Sequence, residues 1–440
     1  MQSDRIIEIL SDWNFWDKKQ ETGFLREDYI SQILKVIKSG KIISITGVRR
    51  GGKSTLIKQI VKKLTEKIPV NDTLIINLEE PQFANIDLPF LIKIYESYLE
   101  VIKPSGKPFI FLDEIQNLTG WERFVRGLNE KKEAHIVISG SSSKLLSEEL
   151  ATLLTGRQLY FEVLPLSFKE FLHFRGIETS NLKDVLVQKL KIKQLLREYM
   201  ESGGFPEIVL NENDWFRKKV LLSYYEDIVN RDLIQRFGIK KIQQFKVLTH
   251  FYLTNISSPI TFGSIAKYIK LPVETIRRFS SYIELSNLVF FLKRFSFSLK
   301  EQENSPRKVY SIDTGLSNAV GFRFSKDYGK IAENIVSIQL RHLQKISPDM
   351  EIYYWKNQYN NKEVDFVIKE GLEIKNLVQV CWNISDEKTK RRKIHSLLKA
   401  MDEFKLNSGL IITEDHDDEI LLKGKKIVFI SLWKYLSMND

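Results

Sequence analysis

The stretch Gly47-Val48-Arg49-Arg50-Gly51-Gly52-Lys53-Ser54 fits the spacing G-x-x-x-x-G-K-[ST], and its flanks decide what the surrounding chain can become. Before it stands KIISITG, in which Ile42, Ile43 and Ile45 are β-branched and interrupted only by Ser44, the pattern of a strand covered on both faces. After it, STLIKQIVKKL puts Leu56, Ile57, Ile60, Val61 and Leu64 on one side of a helix and its lysines largely on the other. A strand, a glycine turn and an amphipathic helix predict an α/β domain with a parallel sheet. A glycine-rich turn in that frame lets consecutive backbone N–H groups converge on phosphate oxygens. A basic surface turn has no need of it.

The binding set expected for ATP and Mg2+ is therefore Gly47, Val48, Arg49, Arg50, Gly51, Gly52, Lys53, Ser54 and Thr55. Lys53 would reach the β and γ phosphates, and the Ser54 hydroxyl would sit on Mg2+. Arg49 and Arg50 are expected to rim the pocket, since the backbone does the cradling. Hydrolysis also needs an acidic strand end, and KPFIFLDEIQ supplies one about sixty residues after Lys53. Asp113 is assigned to the Mg2+ shell and Glu114 to polarising the attacking water.

LIINLEEP reads as another core strand, ending in Glu79 and Glu80, and AHIVISGSSSKLL as a further one. Ser139 or Ser141 could face the γ-phosphate or the water; the alternative is a serine-rich cap for a helix starting near Lys144. Arg157, in TGRQLYFEVLPLSFKEF, precedes a short strand, with a new helix expected from Pro165. It could meet phosphate in its own chain or in a neighbouring subunit, or form a surface ion pair.

Composition narrows the class. The 440 residues exceed one ordinary core and suggest two to four domains. No stretch approaches about 18 continuous apolar residues, and MQSDRIIEIL lacks a secretory layout, so a cytoplasmic protein without membrane insertion is expected. The single cysteine, Cys381, excludes an internal disulfide and a cysteine zinc cluster. With 67 Lys and Arg against 56 Asp and Glu, the formal charge is +11. That favours a polyanionic partner without specifying one.

GVRRGGKST, FLDEIQNLTGWERFVRGL, VISGSSSKLLS and LTGR…LPLSFKEF, in that order, resemble the prokaryotic AAA+ superfamily ATPases whose C-terminal part is an uncharacterised, restriction-endonuclease-like domain. The resemblance covers nearly the whole chain. It implies a P-loop AAA+ ATPase domain over 1–175, a helical lid over 176–250 and a degenerate endonuclease-like α/β domain over 319–440, while the residues of 251–318 read by themselves as a winged helix-turn-helix. The residues of the second region read by themselves as a helical connector, in which GGFPEI is either a hinge or a tight turn.

From 257 onward the pattern is helix, turn at Leu271-Pro272, helix, then a hairpin rich in Phe and Val. The second helix would expose Glu274, Arg277 and Arg278, with Lys267 and Lys270 nearby, which suits double-stranded DNA; docking on a protein is the other use of such a module. A homo-oligomer is a further expectation. In the last region, an endonuclease-like centre would want Glu333, Asp365 and an acid-x-lysine pair around Mg2+. Here the pair reads Gln379-Val380-Cys381, an amide and a thiol, and nothing replaces the lysine. Glu373 and Lys375 form E-x-K but precede the expected strand. The basic start of TKRRKIHSLLKAMDEF reads as a solvated helix face. The expectation is a non-catalytic scaffold that cuts no DNA, and ATP hydrolysis as the enzymatic activity.

Overall fold

The computed structural model describes residues 1–83, 86–140, 156–179, 181–322, 327–357 and 362–438. Ser141 and the helix expected near Lys144 fall outside them. The chain divides into two compact units, Met1–Val163 and Leu164–Asp440.

In the first unit, five parallel strands form one sheet in the order β2-β3-β4-β1-β5: β1 Ile42–Gly47, β2 Thr73–Asn77, β3 Phe109–Asp113, β4 His135–Ser139 and β5 Gln158–Val163. Because side chains alternate along a strand, each sheet face gathers its own core. Ile43, Ile45, Phe111 and Val137 pack with Leu56, Ile57 and Ile60 of helix α1, Lys53–Thr65. Ile42, Ile76, Leu112 and Ile138 pack on the other face with residues of α2, Leu88–Val101, and α3, Trp121–Glu130. The sheet is thus buried on both sides, as the β-branched run of β1 requires.

Strand β2 lies at the edge, where backbone groups would be left open. Asn14 occupies that edge with its side-chain amide, accepting from the Ile75 N–H at 2.7 Å and donating to the Ile75 carbonyl at 2.9 Å. Trp16 donates its indole N–H to the Thr73 carbonyl at 2.9 Å.

The second unit begins with α4, Phe168–Phe174. Its start is set by Ser167, which caps the Glu170 N–H while the Glu170 side chain returns to the Ser167 N–H, a reciprocal capping box. The helix therefore begins after Ser167 and not at Pro165. Leu164, Leu166, Phe168 and Phe171 enter a core with Leu195 and Tyr199 of α5, Lys189–Ser202, and with Ile331, Phe366 and Trp433 from the far end of the chain. The boundary between the two compact units accordingly lies at Val163.

Helix α5 ends in the glycine pair of GGFPEI. A Cβ on Gly203 would lie 2.2 Å from Asp313 Oδ1, and one on Gly204 would lie 2.4 Å from the Leu166 carbonyl. This is a packed turn pinned by Asp313, not a hinge. Helix α6, Asp214–Asp227, continues through the π-helical segment Ile228–Gln235, and α7, Ile242–Thr254, follows a turn at Gly238.

Next come α8, Phe262–Ile269, and α9, Val273–Leu285, beside a three-stranded antiparallel sheet of order β6-β8-β7: β6 Ser258–Ile260, β7 Val289–Leu292 and β8 Arg307–Ser311. After α10, Thr314–Val320, and α11, Tyr328–Ile346, a six-stranded mixed sheet follows in the order β13-β14-β12-β11-β10-β9. Its strands are β9 Met350–Lys356, β10 Glu363–Glu370, β11 Glu373–Val380, β12 Ser408–Thr413, β13 Asp418–Leu422 and β14 Lys425–Ser431. Helices α12, Glu387–Glu403, and α13, Leu432–Met438, pack against it.

The two sheets of this unit are joined. Phe295 donates its N–H to the Tyr354 carbonyl at 2.7 Å, and the Tyr354 N–H returns to Lys293 at 3.1 Å. Phe290, Leu292 and Tyr310 of the small sheet share a core with Ile335, Phe366 and Val378. The segments 176–250, 251–318 and 319–440, set apart in the sequence reading, thus fold within one unit. Among the described residues, no helix is long and apolar enough to cross a membrane.

Candidate nucleotide-binding site

Parallel register brings the C-terminal ends of the five strands into line: Ile45 pairs with Ser139, and Asn77 with Asp113, while Gly47 closes β1 against Val163. The turn that follows demands glycine for two reasons. Gly47 has φ of 138°, and a Cβ there would lie 2.1 Å from the Val163 carbonyl oxygen. Gly52, at φ of 94°, stands immediately before the first residue of α1. The loop's backbone is thereby delivered to a helix N-terminus, where unpaired N–H groups attract anions.

Lys53, at 4% exposure, folds back on this loop and donates to the carbonyls of Val48 at 3.1 Å and Gly47 at 3.3 Å. The buried Asp113 carboxylate accepts from the hydroxyls of Ser54 and Ser139. Burial pushes its pKa up, against the pull of those hydrogen bonds and of Lys53. Ser139 also accepts the Glu114 N–H at 3.3 Å. Ser139, one of the two serines singled out in the sequence, is thus joined to both acids, while Ser141 lies outside the described residues.

Glu114 has a left-handed backbone, φ 52°, and its carboxylate accepts from Gln116. The left-handed conformation is costly for a residue with a side chain, and such strain is often kept at functional positions. Arg49 lies 3.8 Å from Glu79, and Arg50 takes a left-handed φ of 66°.

Arg157 is placed elsewhere. It precedes the first residue of β5, beside Ile42 at the start of β1, whereas Gly47 pairs with Val163 at the other end. Its guanidinium lies 3.1 Å from Glu130. The reading in which Arg157 meets phosphate on its own chain is corrected by this register, since six strand residues, roughly 20 Å, intervene. Sequence reasoning also missed Arg26. It is buried, donates to the Gly51 carbonyl at 3.3 Å and lies over the Tyr29 ring.

The second unit holds a different centre. Glu333 of α11, Glu363 and Asp365 of β10 and Gln379 of β11 converge with two lysines, beside a cavity of about 630 Å³. Lys308 of β8 contacts Glu363 at 2.7 Å, Glu333 at 3.0 Å and Asp365 at 3.1 Å. Lys393 of α12 reaches Asp365 at 2.8 Å. The expectation that no ammonium serves these acids is therefore wrong. Both lysines lie outside the QVC strand, and Lys393 was hidden in the basic run.

Burial alone would raise the pKa of Asp365, but Lys393 and Lys308 hold it down to about 2. Burial, reinforced by the Asp365 charge, raises that of Glu333. Glu373 and Lys375 do not precede the strand that carries Gln379 but open that same strand, β11, where they are exposed and paired with one another, away from this centre. Cys381 is buried, as expected of a small core residue.

Residues 39–172 match the model of an AAA domain, and residues 193–327 and 328–435 match two domains of unknown function, DUF8612 and DUF4143. An uncharacterised protein of Methanocaldococcus jannaschii, MJ1544, is 34% identical over 98% of this chain and 98% of its own length. The chain belongs to this prokaryotic AAA family.

An uncharacterised Haemophilus influenzae protein is 28% identical over 93% of the chain and 98% of its own length, so family members occur in archaea and bacteria. Among solved structures, the Aeropyrum pernix ORC1 protein in complex with DNA aligns over 67% of this chain and 91% of its own, at 13% identity and a TM-score of 0.29. AMPPCP-bound DnaA from Aquifex aeolicus aligns over 62% and 91%, at 13% identity and a TM-score of 0.29.

Proposed function

We propose that this AAA family member binds and hydrolyses ATP, and that nucleotide state drives a conformational switch acting on a DNA or protein partner. One observation carries the reading. Asp113 is tied to Ser54 and Ser139 beside Lys53, at the mouth of a loop whose Gly47 admits no side chain. Ser54 and Asp113 offer the hard oxygen donors that Mg2+ takes, and the ion when bound would neutralise charge on the phosphates.

Lys53 exchanges its two loop carbonyls for phosphate oxygens, and the amides of residues 49–55 cradle them. Glu114 turns from Gln116 to hold and polarise the attacking water, a role that a binding-only protein has no use for. Ser139 fixes the orientation of the Asp113 carboxylate and the Glu114 backbone. Arg157, remote from its own loop, is assigned to the site of a neighbouring chain in a homo-oligomer.

Helices α8 and α9 with the β6-β8-β7 sheet support a winged-helix reading. Glu274, Arg277 and Arg278 are exposed on α9, and Lys267 and Lys270 on the preceding segment. Double-stranded DNA is the partner this surface favours.

Phosphate release measured with and without duplex DNA tests the proposal. Lys53→Ala should lose both ATP binding and turnover. Glu114→Gln should retain bound ATP while turnover falls by about 10²-fold or more. Unchanged turnover in Glu114→Gln overturns its assignment.

A further inference from the structure

The endonuclease-like resemblance of the last region implies a divalent cation between Glu333 and Asp365. The residues present do not fit one. Lys308 puts its ammonium among three carboxylates, at 2.7, 3.0 and 3.1 Å, with 1% of its side chain exposed. An ammonium has three N–H donors and here finds three carboxylate partners. The acids are occupied from other sides as well. Tyr310 donates its hydroxyl to Glu333 at 2.8 Å, and Asp365 Oδ2 accepts from Lys393 and from the Val380 N–H, each at 2.8 Å. Among the described residues no group of three or more His, Cys, Asp and Glu is arranged to hold a metal ion.

We propose that this centre is a cation site whose resident cation is the chain's own Lys308 ammonium, and that divalent metals are excluded from it until that side chain is removed. A metal entering Glu333 and Asp365 would have to expel a charged group from the interior, leaving it without its partners. An unpaired buried charge is among the costliest states a protein can hold. Lys308 arrives from β8, whereas the acids belong to α11 and β10, so the ammonium fastens the small sheet to the large one where a metal would otherwise do so. The positive groups here complete a closed ion cluster. They do not restore the acid-and-metal arrangement that phosphodiester hydrolysis needs.

The test is Mn2+ binding to the full-length, nucleotide-free protein, followed by electron paramagnetic resonance, with folding checked by circular dichroism. Wild-type protein should hold no Mn2+ that Asp365→Asn removes. Lys308→Met, which keeps the apolar stem and loses the charge, should gain a Mn2+ site, and adding Asp365→Asn should abolish it. Lys308→Gln supplies the same comparison if the methionine variant does not fold. A wild-type Mn2+ site lost in Asp365→Asn overturns the proposal. So does a folded Lys308→Met or Lys308→Gln protein that gains no site.

Discussion

Asp313 shows how a single residue can fix a turn and make its stability depend on pH. Its carboxylate is buried, accepts the Gly204 N–H at 2.6 Å and caps α10 through the Leu316 N–H at 2.8 Å. Burial raises its pKa from 3.8 to about 6, despite those backbone hydrogen bonds. Between these values the native state holds more proton than the unfolded chain, so this group's contribution to stability falls as pH rises. The loss is at most about 3 kcal/mol, complete above about pH 6. In urea unfolding, the stability gap between wild type and Asp313→Asn should therefore shrink from pH 4 to pH 7. A constant gap contradicts buried ionisation.

The placement of Gly47, Lys53 and Asp113 around one loop follows from local spacing and was legible in the sequence. Arg26 and Lys308 were not, because the Arg26 bond to Gly51 and the Lys308 bond to Glu333 each span 25 positions and no periodicity marks them. Lys393 left a faint sign. It lies one turn before the buried Leu397, on the flank of the helix's covered face.

At the scale of elements, hydrophobic period gave the strand–loop–helix at β1 and the pair α8–α9 correctly, since burial itself follows that period. Helix starts were less readable. The capping box at Ser167 outweighed the Pro165 signal because it satisfies two backbone donors at once. Helix α9 offers the sharpest test of an element's purpose. Arg277 rests near Glu274 and over the Phe262 ring, so its guanidinium is already oriented at the surface. Replacing Arg277 and Arg278 with Ala should weaken binding to duplex DNA at every sequence and lower the slope of log affinity against log salt by about 1 to 2. If filter binding shows an unchanged slope, α9 docks on protein.

For the whole molecule, the four segments read from the sequence lie in two compact units. The motifs mark ancestry and local folding, but burial is decided by contacts across long separations. Phe168 and Tyr199 share a core with Phe290, Phe366 and Trp433. A fragment covering residues 164–318 would expose that surface, and its proton spectrum should show poor dispersion. Residues 164–440 should fold with dispersed resonances. A well-dispersed spectrum from the shorter fragment would restore the independent winged-helix domain.

The Asn14 side chain on β2 carries a consequence for how copies of this protein avoid one another. By answering both backbone groups of Ile75, with Trp16 answering Thr73, the segment denies the sheet's margin to any incoming strand. It acts as a selvedge, finishing the weave so that nothing can be knitted on. Asn14→Ala should leave that margin raw, and light scattering on heating should rise at a lower temperature and more steeply with protein concentration than in wild type. Assembly through edge-to-edge strand addition at β2 is blocked in the native protein, so any functional homo-oligomer must be built from other surfaces.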